Sequence, residues 1–404
     1  MVYALIVAFL ALQLLVILAP MLRFAKCFRR ETPASAEQQT SVVIMPCKGV
    51  DNALVETIRR LLQQDYRDYA LLFVTESEQD PAHAVIKGLI ADAPCPARLI
   101  VAGPATACGQ KVHNLTTAVN ALDEFFPDTE IIAFCDSDAQ PQTDWLTNLV
   151  AGLADPEVGV ATGYRWYLPA GSGLGSLLLS AWNAQSLFLF GDQSSFAWGG
   201  TMAMRRVDFE NMEIRRRWRG GVSDDGSVTT AVRSHGRRIQ FVPRCLVASR
   251  GDASLRDVLE FTNRQLILTR VYMPRAWREI VAFTLYFCAL FVLVGVLLYR
   301  AFAQQELPEG VVNLLLPGMG FAMVLQCWLQ TTFAMRILPQ HRDELRRLRW
   351  AYLGILPLVA PLALWNVIVS CVSRRIVWRG IGYELLGPNQ TVIWKRDLPD
   401  PRSI

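Results

Sequence analysis

The chain has 404 residues, 52% of them hydrophobic, and a formal net charge of +4; with a mean hydropathy of +0.25 it reads as roughly two or three domains that include membrane segments. Its lysines and arginines are dispersed or flank apolar runs instead of forming a basic stripe interleaved with aromatics, which argues against a nucleic-acid partner. Nine cysteines without CxxC pairs, several inside apolar runs (Cys288, Cys327, Cys371), read as reduced thiols, and the scattered His83, His113, His235 and His341 make no zinc site.

Val2 to Leu22 is an uncharged apolar run long enough to cross a bilayer, followed at once by Arg23, Lys26, Arg29 and Arg30. A cleaved signal peptide has its basic residues before the apolar stretch, so this order reads as an uncleaved anchor over 1–22, with the following segment held in the cytosol. Residues 23–40 read as a basic flank and linker. From 41 to 249 short apolar runs alternate with helical periodicity: strands at Val42–Met45, Ala70–Val74, Arg98–Val101, Ile131–Cys135, Gly159–Gly163 and Ile239–Val242, with helices between. This alternation predicts a parallel sheet wound with helices. Leu174–Phe190 reads as a buried helix or one lying on the membrane surface, and Asp257–Tyr272, within 250–279, as an interfacial helix. Apolar spans follow at about Ile280–Tyr299, Val311–Met335 and Trp350–Val372, inside a membrane region of 280–372, and then a polar tail over 373–404. If all three cross, the tail ends outside, yet Arg374, Arg375 and Arg379 favour the inside. Pro357 and Pro361 offer one resolution, by breaking the last span into a re-entrant hairpin.

The strand Ile131–Cys135 runs straight into Asp136, Ser137 and Asp138. Two carboxylates at a strand end suit a hard divalent cation clamped to a phosphorylated substrate, since open α/β sheets bind ligands at the ends of their strands. A second pair, Asp224 and Asp225, opens a helical pattern and offers a general base. Trp198-Gly199-Gly200-Thr201-Met202 gives a place for close backbone approach, and Lys111 in Gly109-Gln110-Lys111 precedes a helix as a point charge for a phosphate. Taken singly, each has an ordinary structural reading: a polar turn, a helix cap, a bulge, a solvated surface lysine.

Their order carries more than any one of them. Strand, Lys48-Gly49-Val50-Asp51, a second acidic strand end at Glu76, GQKVHNL, CDSD, GGTM, and then Asp224-Asp225 before a membrane-bound tail that includes Trp378-Arg379-Gly380 and Tyr383 resembles the inverting glycosyltransferases of family 2. The similarity is closest to the ceramide glucosyltransferase group and its bacterial relatives, among them hopanoid-associated glycosyltransferases. The resemblance implies an α/β, Rossmann-like GT-A domain with one N-terminal and two to three C-terminal transmembrane helices. It also implies an integral membrane protein, of a bacterial inner membrane, with its catalytic domain in the cytosol. Carried over by residue, Lys48, Gly49 and Asp51 line the nucleotide, Glu76 stands where the family has an aspartate, and Lys111 sits nearby. Asp136 and Asp138 hold Mg²⁺ or Mn²⁺, and Asp225, beside Asp224, is the base. The implied partners are a nucleotide sugar, most simply a UDP-sugar, and a lipid hydroxyl.

One departure stands out. The family's (Q/R)xxRW motif falls on Arg264, Gln265, Leu266, Ile267 and Leu268, so Arg264 survives while Ile267 and Leu268 replace the Arg-Trp pair. Arg270 or Arg275 then becomes the expected substitute for the lost charge. Two rival readings follow: a polyisoprenyl-phosphate glycosyltransferase or polysaccharide synthase, and a catalytically silent membrane scaffold.

Overall fold

The structure, a computed structural model, describes residues 2–28, 39–191, 194–304 and 311–396. Arg29, Arg30 and residues 31–38 of the expected linker lie outside the described residues, as does the tail beyond Arg396. The centre is a seven-stranded sheet of β1 (Ser41–Pro46), β2 (Tyr69–Thr75), β3 (Ala97–Val101), β4 (Ile131–Cys135), β5 (Val158–Pro169), β6 (Thr201–Arg205) and β7 (Arg238–Gly251), ordered β3-β2-β1-β4-β6-β5-β7. β1 to β4 are mutually parallel, β6 is antiparallel to both its neighbours, and β5 pairs parallel with β7.

Successive residues of a strand face opposite sides. Val43, Met45, Leu71, Phe73, Ile131 and Ala133 join one buried cluster, whereas Val42, Ile44, Leu72, Val74, Ile132 and Phe134 join another. Both faces are covered, which is why these strands read as continuous apolar runs instead of alternating ones. The parallel strands β1, β2 and β4 end on Lys48, Glu76 and Asp136, so the three loops meet at one edge of the sheet.

β6 has no counterpart in the sequence reading. Its residues Thr-Met-Ala-Met-Arg contain one β-branched side chain, and only the neighbours on either side make it a strand. β5 and β7 also run well past the predicted Gly159–Gly163 and Ile239–Val242. Gly163 marks their close approach: a Cβ there would lie 2.0 Å from the Cys245 carbonyl oxygen.

Among the described residues four helices are long and apolar enough to cross a membrane: Ile6–Cys27, Pro274–Leu297, Asn313–Ile337 and Pro339–Val372. The α/β class with one N-terminal and three C-terminal candidate spans is therefore the one expected. The first of them is docked as well as apolar. Phe24 is fully buried and packs against Phe28, Phe188, Phe241 and Phe333, with ring centroids 5.1–5.5 Å apart.

The last candidate is different from a free-standing span. Helix Arg342–Val372 runs unbroken through Pro357 and Pro361, so the re-entrant break does not occur. It touches the sheet domain and its attached helices along its length. Glu344 pairs with Arg250 at the end of β7, Tyr352 Oη lies 2.6 Å from Ser180 Oγ, and Asn366 donates to Thr262. Trp277 and Arg270 both bond to Ser370. On the opposite face Trp350, Leu358, Trp365, Ile368 and Val372 recur at helical spacing and are exposed.

The stretch read as a polar tail is folded. β8 (Arg375–Trp378), β9 (Ile381–Gly387) and β10 (Gln390–Arg396) form an antiparallel sheet whose Ile376, Ile381, Tyr383 and Leu385 are buried against Ile267 and Tyr272.

Phe24→Ala removes the aromatic that ties the first helix to the domain. Loss of a buried Phe typically costs about 3–5 kcal/mol, so a clearly lowered midpoint of thermal unfolding in detergent is expected.

Candidate functional site

Two helix starts meet at the sheet edge. Gly109 N donates to the Gly221 carbonyl at 2.8 Å, and a Cβ on Gly109 would come 3.0 Å from Val222 Cα, so the chain before Lys111 lies tightly against the chain before Asp224 and a larger residue would push them apart. Helices Gln110–Asn120 and Asp224–Ser234 thereby begin side by side. Lys111 Nζ sits between them, 2.8 Å from Asp136 Oδ1 and 3.1 Å from Asp224 Oδ2.

Gly199 completes this contact from β6's entry loop. A Cβ at Gly199 would lie 2.1 Å from Asp224 Oδ2 and 2.8 Å from Lys111 Nζ. The first glycine of the GGTM stretch is thus a floor under the ion pair, and the second, Gly200, lies against the Trp198 ring. Gly199 N also donates to Asp225 Oδ2 at 3.2 Å, while Asp225 Oδ1 accepts from Ser223 Oγ and Gly226 N at 2.6 and 2.7 Å. Asp224 is buried, whereas Asp225 is half-buried and carries no cationic side chain among these contacts.

Asp136 and Asp138 share Arg165. Its Nη2 is 3.3 Å from Asp136 Oδ2 and its Nη1 3.1 Å from Asp138 Oδ2, and the guanidinium lies over the Trp198 ring at 4.5 Å. Arg165 was not singled out from the sequence, because an arginine in the middle of an apolar strand carries no local signal. The other expected residues form an outer ring. Lys48 and Arg396 both pair with Glu76, Gly49 N donates to Asp80 Oδ1, and Asp51 Oδ2 accepts from Arg379 at 3.0 Å and Ser137 at 3.3 Å. Arg264 bonds the Val377 carbonyl and lies between the Phe261 and Trp378 rings. Arg270 is not at the site: it caps the Ser370 and Cys371 carbonyls at the end of helix Arg342–Val372, so it does not replace the missing arginine, and Arg275 is exposed beyond it.

The charges are strongly coupled. Burial alone would favour neutral Asp136, yet Lys111 and Arg165 hold its carboxyl below the usual value. Burial likewise opposes charge on Lys111 and Arg165, and their carboxylate partners outweigh it, keeping both raised. For Asp224 burial wins: with Asp225 and Asp136 adding to it and Lys111 opposing, its carboxyl is pushed up to about 7. Burial, with Arg165 and Arg379 nearby, pushes Arg264 down to about 10.

Asp136 and Asp138 are hard oxygen donors facing a single cation position, at present the Arg165 guanidinium. Two carboxylates of this kind, with phosphate oxygens of a ligand, suit Mg²⁺ or Mn²⁺. Among the described residues no group of three or more His, Cys, Asp or Glu is arranged to hold a metal, so the remaining ligands would have to come from the substrate and water.

Around these groups lies a cavity of about 940 Å³. Asp136, Asp225 and Arg264 line it, and so do Met21, Phe287, Leu290 and Met323 of the apolar helices.

Residues 3–390 match the model of glycosyl transferase family 21. The chain belongs to glycosyl transferase family 21, the ceramide glucosyltransferase family. The expected resemblance to the ceramide glucosyltransferase group is borne out, whereas membership of family 2 and of the hopanoid-associated group is not shown.

Among solved structures, the family member is similar to the mannosyltransferase PcManGT from Pyrobaculum calidifontis, solved in complex with GDP-Man and Mn²⁺. The identity is 18%, over 92% of this chain and 98% of that one, with a TM-score of 0.49. It is also similar to glucosyl-3-phosphoglycerate synthase from Mycobacterium tuberculosis at 16% identity, over 59% of this chain and 82% of that one, with a TM-score of 0.37. A third, GalNAc-T7 with UDP, GalNAc and Mn²⁺, matches at 11% identity over 60% and 50% with a TM-score of 0.38.

Asp224 gives a measurable pH signature. Its carboxyl rises from the ordinary 3.8 to about 7 on folding, so between those values the folded protein holds the extra proton. The stability from this group is full below the lower value and is lost as pH rises through the upper one. In chelator, the wild-type melting temperature relative to Asp224→Asn should therefore fall from about pH 5 to about pH 8.

Proposed function

We propose that this protein is a membrane-bound inverting hexosyltransferase of the GT-A type. Its donor is a nucleotide sugar, UDP-glucose or a relative, and its acceptor is a lipid hydroxyl such as that of ceramide, a hopanoid or diacylglycerol. The observation that carries this reading is the single cavity lined both by the carboxylate cluster and by the apolar helices. A lipid headgroup needs a polar end and an apolar flank in one space, and a soluble acceptor has no use for the second.

In this reading Asp225 takes the proton of the acceptor hydroxyl. The freed oxygen forms the new bond to the anomeric carbon, and the bond from that carbon to the diphosphate breaks on the opposite face, its electron pair leaving with the nucleoside diphosphate. Asp225 suits this role better than Asp224, because Asp224 is buried on Lys111 while Asp225 is half-buried at the cavity and oriented by Gly199, Ser223 and Gly226. Lys48, Gly49, Asp51, Glu76 and Arg264 surround the donor, and Lys111 joins the base region to the acid pair. Asp136 and Asp138 would hold the divalent ion, which supplies charge neutralisation at the departing diphosphate. Arg165, which bridges the same two carboxylates, would compete with the ion for them.

The reading includes an orientation in a bacterial inner membrane, with the sheet domain and the basic end of the first helix, Arg23 and Lys26, in the cytosol. Helix Arg342–Val372 lies along the membrane surface in this arrangement. Its Glu344 end bonds Arg250 of β7 and its Ser370 end bonds Arg270, on the helix that follows the sheet domain, so a crossing would separate groups that are bonded to one side, and its exposed apolar face is left for the lipid. The tail is then cytosolic, in keeping with Arg374, Arg375 and Arg379.

Membranes carrying the protein should move labelled sugar from a nucleotide sugar into acid-stable, organic-extractable lipid. Asp225→Asn should lower the rate about 10²–10⁴-fold, and chelator should abolish it. An acid-labile product would instead indicate a phosphate acceptor, and no transfer from any donor by folded protein would indicate a silent scaffold. For orientation, cysteines introduced by Asn389→Cys in the tail and Glu78→Cys in the domain should react with an impermeant maleimide from the same side of sealed vesicles. Reaction from opposite sides would mean that the last helix crosses.

A further inference from the structure

We propose that Arg379, at the tip of the β8–β9 hairpin, contacts the diphosphate of the bound donor, and that Trp378 positions Arg264 beside it. This rests on the glycosyltransferase reading above and adds to it a residue pair from the far end of the chain.

The backbone is the first observation. The two-residue turn is Arg379-Gly380, with φ of +49° and +75°. Turns of this kind are usually filled by Asn, Asp or Gly, and an arginine in left-handed backbone is strained. Such strain persists where the surroundings fix it, and here it aims a long cationic side chain at the cavity.

The guanidinium is the second. Arg379 Nη2 lies 3.0 Å from Asp51 Oδ2, and Asp51 is 3.3 Å from the hydroxyl of Ser137, the residue between Asp136 and Asp138. Its side chain is nonetheless 44% exposed and lines the cavity. Arg165, Arg264 and Arg379 bring three guanidiniums to one wall, and Arg264 is held by a carbonyl and two aromatic rings in place of a carboxylate. Burial is the main cause of the lowered pKa of Arg264, and the nearby Arg165 and Arg379 add to it. A diphosphate is the anion of matching charge, and planar guanidinium donors suit its oxygens.

The third observation is how firmly the hairpin is carried. Ile267 and Leu268 are packed with Ile376, Ile381 and Tyr383, so these two positions seat the sheet. Around that seat Tyr383 Oη accepts from Gln110 N, Thr391 Oγ1 donates to the Gly220 carbonyl, and Arg396 reaches Glu76 and the Ala105 carbonyl. With Asp51, the tail touches the loops after β1 and β2 and those before Lys111 and Asp224. A sheet that only covered the surface would not need contact with all four.

The test measures binding of UDP, with GDP and ADP in parallel, to the full-length protein in detergent, both with Mn²⁺ and in EDTA. Arg379→Ala should weaken UDP binding by about 10-fold or more in both conditions, and Arg379→Lys should restore part of it. Trp378→Ala should also weaken binding, and adding it to Arg264→Ala should cost nothing further, the coupling expected if Trp378 acts through Arg264. Arg375→Ala, which removes an exposed pair with Glu384 in the same sheet, should leave binding unchanged. UDP affinity equal to wild type in folded Arg379→Ala would overturn the proposal and leave Arg379 as a pin on Asp51. Should Arg379→Ala not fold, Arg379→Gln decides in the same way. Wild type that binds none of the three nucleotides would overturn the functional reading itself, a result distinct from a wild type that binds while Arg379→Ala binds equally well.

Discussion

Lys111 is shared between two acids that reach it from different parts of the chain, Asp136 at the end of a central strand and Asp224 at the start of a helix. Each acid would be costly to bury alone, and together with Asp138 and Asp225 they would repel one another strongly. One lysine between Asp136 and Asp224, and one arginine, Arg165, between Asp136 and Asp138, make the cluster tolerable. The geometry around the lysine follows from that need. Gly109 lets the two helix starts touch, and Gly199 leaves room for the pair. Asp225, adjacent in sequence to a fully committed acid, remains the one held by neutral donors and open to a substrate.

The same cluster explains why the remote end of the chain returns to the site. The strand-end loops present acids, and the C-terminal sheet arrives with arginines: Arg379 at Asp51 and Arg396 at Glu76. Its return constrains the membrane part. A tail bonded to the sheet domain limits what the helix before it can do, and that helix keeps polar contacts to the domain on one face and apolar residues on the other. By composition it is a candidate span, and hydropathy by itself does not distinguish a helix surrounded by lipid from one pressed between lipid and protein.

Much of the sheet could be read from the sequence, because strands buried on both faces announce themselves as apolar runs and their ends as abrupt polar turns. β6 could not be read, since Met202, Ala203 and Met204 fit a strand only once β4 and β5 flank them. The site was partly legible. Asp136, Asp138, Asp225 and Lys111 lie in short polar stretches beside regular elements, and their order along the chain carried the family resemblance. Arg165 was hidden inside an apolar strand. Asp80, which accepts from Gly49 N, looks in sequence like the helix cap that it also is. The expectation that Arg270 would stand in for a lost arginine failed because proximity in sequence on a helix says nothing about which face meets the site.

By itself, then, the sequence determined the α/β class, the apolar helices and the acids at the strand ends, for these depend on local periodicity and on residues a few positions apart. Tertiary structure alone decided which acid is buried on Lys111 and which is half-buried, that Arg165 bridges the acid pair, that Trp378 meets Arg264, and that Arg379 reaches Asp51 more than three hundred residues before it. Those outcomes depend on charges meeting across the fold, where the energy of a pair is set by burial and distance, and neither quantity is written in the spacing of residues along the chain.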